Sequence, residues 1–176
     1  IRDFEVKLLN GSSAPIDTLD DWTVLNLPIA DVLDIPNRIN QQYGIDMDTI
    51  NNAIGNYSIQ NIGYLEILKK YLPTISETPV SLCSGTRHYS WPKNAAILGI
   101  GASNMWNIAV DLNARMDLDQ LRYALGMCLS KKIPLMNVVV ILGTTEESSV
   151  DPLASVLAIR DEYRSQGLEF AIHCDA

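Results

Sequence analysis

Asn137-Val138-Val139-Val140-Ile141-Leu142-Gly143-Thr144-Thr145 is the stretch that decides the fold class of this chain. Its apolar residues run on without alternating with polar ones. That is the pattern of a strand buried on both faces, and such strands belong to parallel sheets covered by helices. Downstream, residues 151–166 carry the signals of a helix, with Asp151 as N-cap, Pro152 at the first helical position and Gly167 just past the end. Upstream, Leu118, Leu121, Leu125, Cys128 and Leu129 recur at helical spacing. They predict a helix over residues 117–130, opened by a capping box of Asp117 and Gln120. Further strands are expected near residues 80–83, 106–110 and 169–173, and a helix around 92–98. Strand and helix then alternate from about residue 76 onward, which predicts an α/β unit with a mostly parallel sheet. Crossovers in such a sheet are right-handed, and ligand chemistry gathers at the carboxyl ends of the strands.

The earlier part of the chain, residues 1–75, is polar and rich in Asn, Asp, Gln and Ile, and it reads as a mainly helical segment. Helices are expected over residues 29–43 and 47–72. Gly11-Ser12-Ser13-Ala14-Pro15 has loop composition, and Pro28 and Pro36 are expected near helix starts, not inside helices. With 13 basic against 21 acidic residues in 176, the net charge of -8 opposes phosphate backbones and anionic lipid surfaces, so neither a nucleic acid nor a membrane is expected as partner. Apolar runs such as residues 134–142 fall far short of the roughly 20 residues a membrane-spanning helix needs. Cys83, Cys128 and Cys174 are odd in number and widely spaced, which suits reduced thiols and a cytoplasmic setting. The chain opens on Ile1 and stops at Ala176 directly after a polar motif, and it reads as truncated at both ends.

Four strand ends are the places to look for chemistry, at residues 84–90, 111–117, 143–149 and 173–176. In the first, Cys83-Ser84-Gly85-Thr86-Arg87-His88-Tyr89-Ser90, His88 can act as a base, a ligand or a flat stacking surface, although a loop histidine is as often simply solvated. In Gly143-Thr144-Thr145-Glu146-Glu147, small and hydroxylated residues let a ligand approach the backbone closely; an ordinary turn before an acidic helix start explains them equally well. In His173-Cys174-Asp175-Ala176, strand alternation puts His173 and Asp175 on one side of the sheet. A carboxylate ending a buried strand needs a cation, which a protonated ring nitrogen of a cofactor or a structural salt bridge can supply. No metal site is expected, because ligands to complete one with His173, Cys174 and Asp175 are not evident elsewhere. Leu98-Gly99-Ile100-Gly101-Ala102-Ser103 lacks the third glycine and the preceding strand that a nucleotide loop requires.

Taken in order, four segments resemble group II pyridoxal-phosphate-dependent amino-acid decarboxylases. They are Thr86-Arg87-His88-Tyr89-Ser90-Trp91-Pro92-Lys93-Asn94-Ala95-Ala96-Ile97-Leu98-Gly99-Ile100-Gly101, then Arg115-Met116-Asp117, then Gly143-Thr144-Thr145-Glu146-Glu147 with Val150-Asp151, and last His173-Cys174-Asp175-Ala176. The resemblance covers residues 86–176 and extends less closely to Asp21-Trp22-Thr23-Val24-Leu25-Asn26. That segment, with His88-Tyr89-Ser90-Trp91, is most similar to the bacterial tyrosine decarboxylase branch.

The resemblance implies part of the large domain of a fold type I, aspartate aminotransferase-like enzyme that binds pyridoxal 5'-phosphate. By the same resemblance the parent decarboxylates an L-amino acid, tyrosine or another aromatic one included, and works as a homodimer. His88 would stack on the pyridine ring near the reacting carbon, Asp175 would pair with the ring nitrogen, and Thr145 would lie beside the cofactor. The phosphate-binding loop and the Schiff-base lysine of the family have no counterpart here, and Lys93 sits in a different element from that lysine. The chain alone is therefore expected to be inactive. Another fold type I enzyme, an aminotransferase or lyase, and a non-catalytic interaction module are the alternatives.

Overall fold

The computed structural model describes residues 3–176, which divide into two compact units, one running to Ser76 and the other comprising Glu77–Ala176. The first holds a small antiparallel pair, β1 (Glu5–Lys7) and β2 (Ser13–Pro15), followed by helices α1 (Asp21–Leu25), α2 (Ile29–Tyr43), α3 (Met47–Asn56), α4 (Ile59–Ile62) and α5 (Tyr64–Tyr71). Phe4, Val6 and Leu27 form its buried centre, with Ile35 and Ile39 packed against them.

Three expectations fail here, the first being the loop over residues 11–15, of which Ser13–Pro15 forms β2 and pairs with β1. Pro36 lies inside α2, not near its start. A proline there removes the hydrogen bond to the Val32 carbonyl. Val32 is 42% exposed, so water can serve that carbonyl, while Ile35 and Ile39 on either side of the proline hold the helix onto the buried centre. The helix expected over 47–72 is three helices. The Ser58 amide and hydroxyl both turn back to the Gly55 carbonyl, closing α3, and Gly63 at φ +88° takes a conformation that no helix continues through.

In the second unit strand and helix alternate as expected: β3 (Val80–Ser84), α6 (Ser90–Ile97), β4 (Met105–Ile108), α7 (Leu118–Lys131), β5 (Leu135–Ile141), α8 (Leu153–Arg164) and β6 (Ala171–Asp175). The four strands form one sheet in the order β4-β3-β5-β6, and every neighbouring pair is parallel. Cys83 is level with Val139 and Val139 with His173, while Ile141 is level with Asp175. These residues share one face. Cys83, Val139 and Ile141 are buried there with Met105 and Ala95, and Trp91 and Ile100 pack on them. Leu82, Val138 and Val140 point the other way and have no exposed surface at all, so both faces are covered, as the unbroken apolar run requires. Each such side chain stabilises the fold by about 1.5–3 kcal/mol.

Asp117 caps α7, its carboxylate accepting from the amides of Asp119 and Gln120, but the capping box is not completed, because the Asp117 amide donates to Ala109 O. Asp151 does not cap α8; Pro152 occupies that position instead. The Asp151 side chain, 2% exposed, accepts from Met116 N at 2.6 Å and Ile141 N at 2.8 Å, clamping the carboxyl end of β5 to the segment that leads into α7. The last strand begins two residues later than expected. Leu168, Glu169 and Phe170 are buried in the return from α8, where Leu168 N donates to Tyr163 O and Glu169 meets Arg164 at 2.7 Å. Pairing starts only when Ala171 reaches Asn137, and Asp175 thereby becomes the final residue of the strand.

The crossover from β3 leads to β4 on one side and the crossover from β5 leads to β6 on the other. A crevice opens where adjacent connections diverge in this way, at the carboxyl ends of β3 and β5.

Candidate active site

That crevice is a cleft of about 500 Å³, within the range of small-molecule sites. Its floor is Ile141 and Asp175, level with each other at the ends of β5 and β6. One wall is Thr86, Arg87, His88 and Tyr89, the turn after β3; the other is Gly143 to Glu147, the turn after β5. His88, Thr145 and Asp175, drawn from three strand ends, all line it.

Asp175 is half-buried, and its Oδ2 accepts a hydrogen bond of 2.7 Å from the indole N–H of Trp91. Among the described residues Oδ1 takes no hydrogen bond, and no Lys, Arg or His side chain forms an ion pair with the carboxylate. A structural salt bridge therefore does not account for Asp175 among the described residues. One oxygen remains to accept a donor from the cleft.

His88 is exposed, and its Nδ1 lies 2.8 Å from the Ser90 hydroxyl and 3.3 Å from the Ser90 amide. An amide N–H can only donate, so Nδ1 is the acceptor and the proton of the neutral ring sits on Nε2. The Tyr89 ring lies 4.2 Å from the imidazole, centre to centre, at 42°. The Arg87 guanidinium is tied back to Asn107 Oδ1 and to the Ser84 carbonyl.

The opposite wall is held by its neighbours. Gly143 has φ +123°, a conformation open to glycine and strained for other residues. Thr144 is buried, its amide donates to Ser149 O, and its hydroxyl accepts from Ser149 N at 3.0 Å. The Ser149 hydroxyl donates in turn to Ala114 O at 2.8 Å. Thr145 follows directly and is exposed at the cleft. Sequence reasoning overlooked Trp91 and the Thr144–Ser149 clamp; the pairing of a small hydroxyl at a strand end with another five residues on was the available signal for the clamp.

Cys83, near the end of β3, does not line the cleft, and burial pushes its thiol up to about 12, which keeps it protonated at neutral pH. Among the described residues no group of three or more His, Cys, Asp and Glu side chains is arranged to hold a metal ion. What the arrangement offers is an anionic acceptor on the floor, a flat imidazole on one wall and a hydroxyl on the other. That set fits a planar heteroaromatic ring carrying one N–H.

A family profile described as the pyridoxal-dependent decarboxylase conserved domain matches residues 65–176, which include every residue of this cleft. The chain belongs to that family. Pyridoxal phosphate is the family's cofactor. Among relatives of this chain, L-tyrosine decarboxylase of Enterococcus faecalis is 32% identical over 156 residues, covering 89% of this chain and 22% of the relative. L-tyrosine decarboxylase of Levilactobacillus brevis is 31% identical with the same coverage of both. The chain thus spans about a fifth of the length of these relatives.

Solved structures agree on the fold. Catharanthus roseus tryptophan decarboxylase in complex with L-tryptophan matches with a TM-score of 0.52 and 24% identity over 62% of this chain and 23% of that one. The glutamate decarboxylase domain from Vibrio parahaemolyticus matches with a TM-score of 0.52 and 19% identity over 68% and 25%. At these identities the likeness is one of fold: the mostly parallel α/β sheet of a fold type I large domain.

Proposed function

We propose that the full-length protein containing this chain is a carboxy-lyase that converts an L-amino acid to its amine and carbon dioxide, and that L-tyrosine is its substrate. The observation that carries the reading is the Asp175 carboxylate at the floor of the cleft, with one oxygen held by Trp91 and the other without a hydrogen-bond partner among the described residues, beside a wall that presents His88. The tyrosine decarboxylases at 31–32% identity over 89% of the chain support the substrate.

When bound, pyridoxal phosphate supplies a conjugated sink for the electron pair released as carbon dioxide leaves. Asp175 holds the proton on the ring nitrogen, which keeps the ring electron-poor. Charge developing in a partly dry cleft is stabilised most by a fixed countercharge already aimed at it, and a strand-end carboxylate is such a charge. His88 offers its ring face to the pyridine and its Nε2–H to a substrate oxygen. Thr145 offers a hydroxyl at the rim. The Schiff-base lysine and the phosphate-binding loop are assigned to residues outside this chain, so the isolated chain is expected to release no carbon dioxide. The three cysteines are free thiols, which supports a cytoplasmic setting, and a homodimer is the assembly we assign. No helix among the described residues is long and apolar enough to cross a membrane.

Carbon dioxide release from L-tyrosine by the full-length protein tests this. Asp175→Ala is expected to lower kcat by at least about a thousandfold, since it removes the fixed countercharge on which the electron sink depends. Near-normal release by that variant overturns the assignment, and formation of a keto acid in place of the amine moves the protein to the aminotransferases.

A further inference from the structure

We propose that Trp91 is a positioning residue for the reaction, fixing the rotation of the Asp175 carboxylate so that Oδ1 alone faces the cofactor's ring nitrogen. This rests on the function proposed above and adds a residue to it.

A carboxylate at the end of a side chain turns about its last bond with little preference. Asp175 stands on β6, an edge of the described sheet, where neighbouring strands lie on one side only. Something else must set which oxygen faces the cleft. The indole N–H of Trp91, at 2.7 Å from Oδ2, does so.

The donor is itself held by packing. Its ring packs on the buried layer that contains Cys83, Ala95 and Val139, and it meets the His173 ring edge-on, with centroids 5.3 Å apart at 72°. Trp91 lies in the first turn of α6, the helix that follows the His88 turn, so one short segment carries both the stacking imidazole and the group that aims the acid.

An indole N–H is a donor only. It can stabilise a charged oxygen but cannot take the proton that the ring nitrogen and Oδ1 share. Its effect is thus to keep charge on the carboxylate while the proton stays with the ring. Losing it frees the carboxylate to rotate and lets the proton settle on Asp175.

The test compares the full-length holoenzyme with Trp91→Phe and with a protein carrying benzothienylalanine at position 91, which replaces the indole N–H by sulfur and keeps the shape. Pyridoxal phosphate labelled with nitrogen-15 in the ring reports protonation through its chemical shift, alongside kcat and KM for L-tyrosine. The expected result is a ring-nitrogen signal moved towards the unprotonated position in both proteins. We expect kcat to fall about ten- to a hundredfold, the scale of one hydrogen bond to a charged group, with KM changed less than about threefold.

An unchanged nitrogen signal in the benzothienyl protein overturns the proposal, including the case in which Trp91→Phe fails to fold or to load cofactor, because the indole then serves packing alone. Asp175→Asn separates the two readings. If it abolishes turnover while both position-91 proteins behave as wild type, only the role of Trp91 falls; a wild-type protein that binds no pyridoxal phosphate overturns both.

Discussion

Replacing Asp151 should destabilise this chain more than replacing any surface carboxylate, although Asp151 touches no ligand. Its two oxygens accept from Met116 N at 2.6 Å and Ile141 N at 2.8 Å, and all three residues are buried. Asp151→Ala leaves two amides without partners away from water, at about 1–3 kcal/mol each. Relief from burying a charge offsets part of this. The net expectation is a loss of about 3–4 kcal/mol. Asp151→Asn keeps one acceptor and turns an NH₂ towards the other amide, so it should cost about 2–3 kcal/mol. Urea unfolding of the chain followed by far-ultraviolet circular dichroism measures both. With a slope of about 2 kcal/mol per molar, the midpoint for Asp151→Ala should fall by about 1.5–2 M. Asp119→Ala on the exposed side of α7 is the control and should stay within about 0.5 kcal/mol of the parent. If Asp151→Ala also stays within that margin, the clamp is not holding β5 and the reasoning fails.

Two further outcomes follow from the titrating groups. Burial pushes the Cys83 and Cys128 thiols up to about 12, whereas Cys174 is exposed, so a thiol reagent at pH 8 should modify Cys174 alone in the folded chain and all three in urea; equal rates at the three sites in the folded chain would contradict this. Burial also raises Glu169 above the usual glutamate value, with Arg164 and Arg160 pulling the other way. A folded-state value above the unfolded one means that stability from this group is complete below about pH 4.5 and is lost as pH rises through the folded value. Glu169→Gln should remove that part of the pH slope of unfolding, and a slope identical to the parent's would refute the assignment.

The alternation of strand and helix was legible because the strands of this sheet are buried on both faces, so runs such as residues 137–142 carry no polar interruption. The cleft was legible for a topological reason: parallel strands bring their carboxyl ends together, and searching those ends led to the three segments that line it, within which the family resemblance picked out His88, Thr145 and Asp175. What failed depended on partners distant in sequence. Asp151 followed by Pro152 carries every local sign of a helix cap, but the amides of Met116 and Ile141 compete for the same oxygens and win. Glu169 and Phe170 look like strand residues, and the return from α8 claims them first. Trp91 gave no sign of its role, because its acceptor lies 84 residues away. The break at Gly63 was local and readable in principle, since a glycine between two helical stretches marks a stop as readily as a tolerated interior residue.

That separation of 84 residues also sets an order of events in synthesis. A nascent chain can shape β3, the His88 turn and α6 early, yet Trp91 has no acceptor until β6 leaves the ribosome and docks at the sheet edge. The lining of the cleft is incomplete until that strand has docked. Until then the imidazole and the indole stand without the acid that joins them.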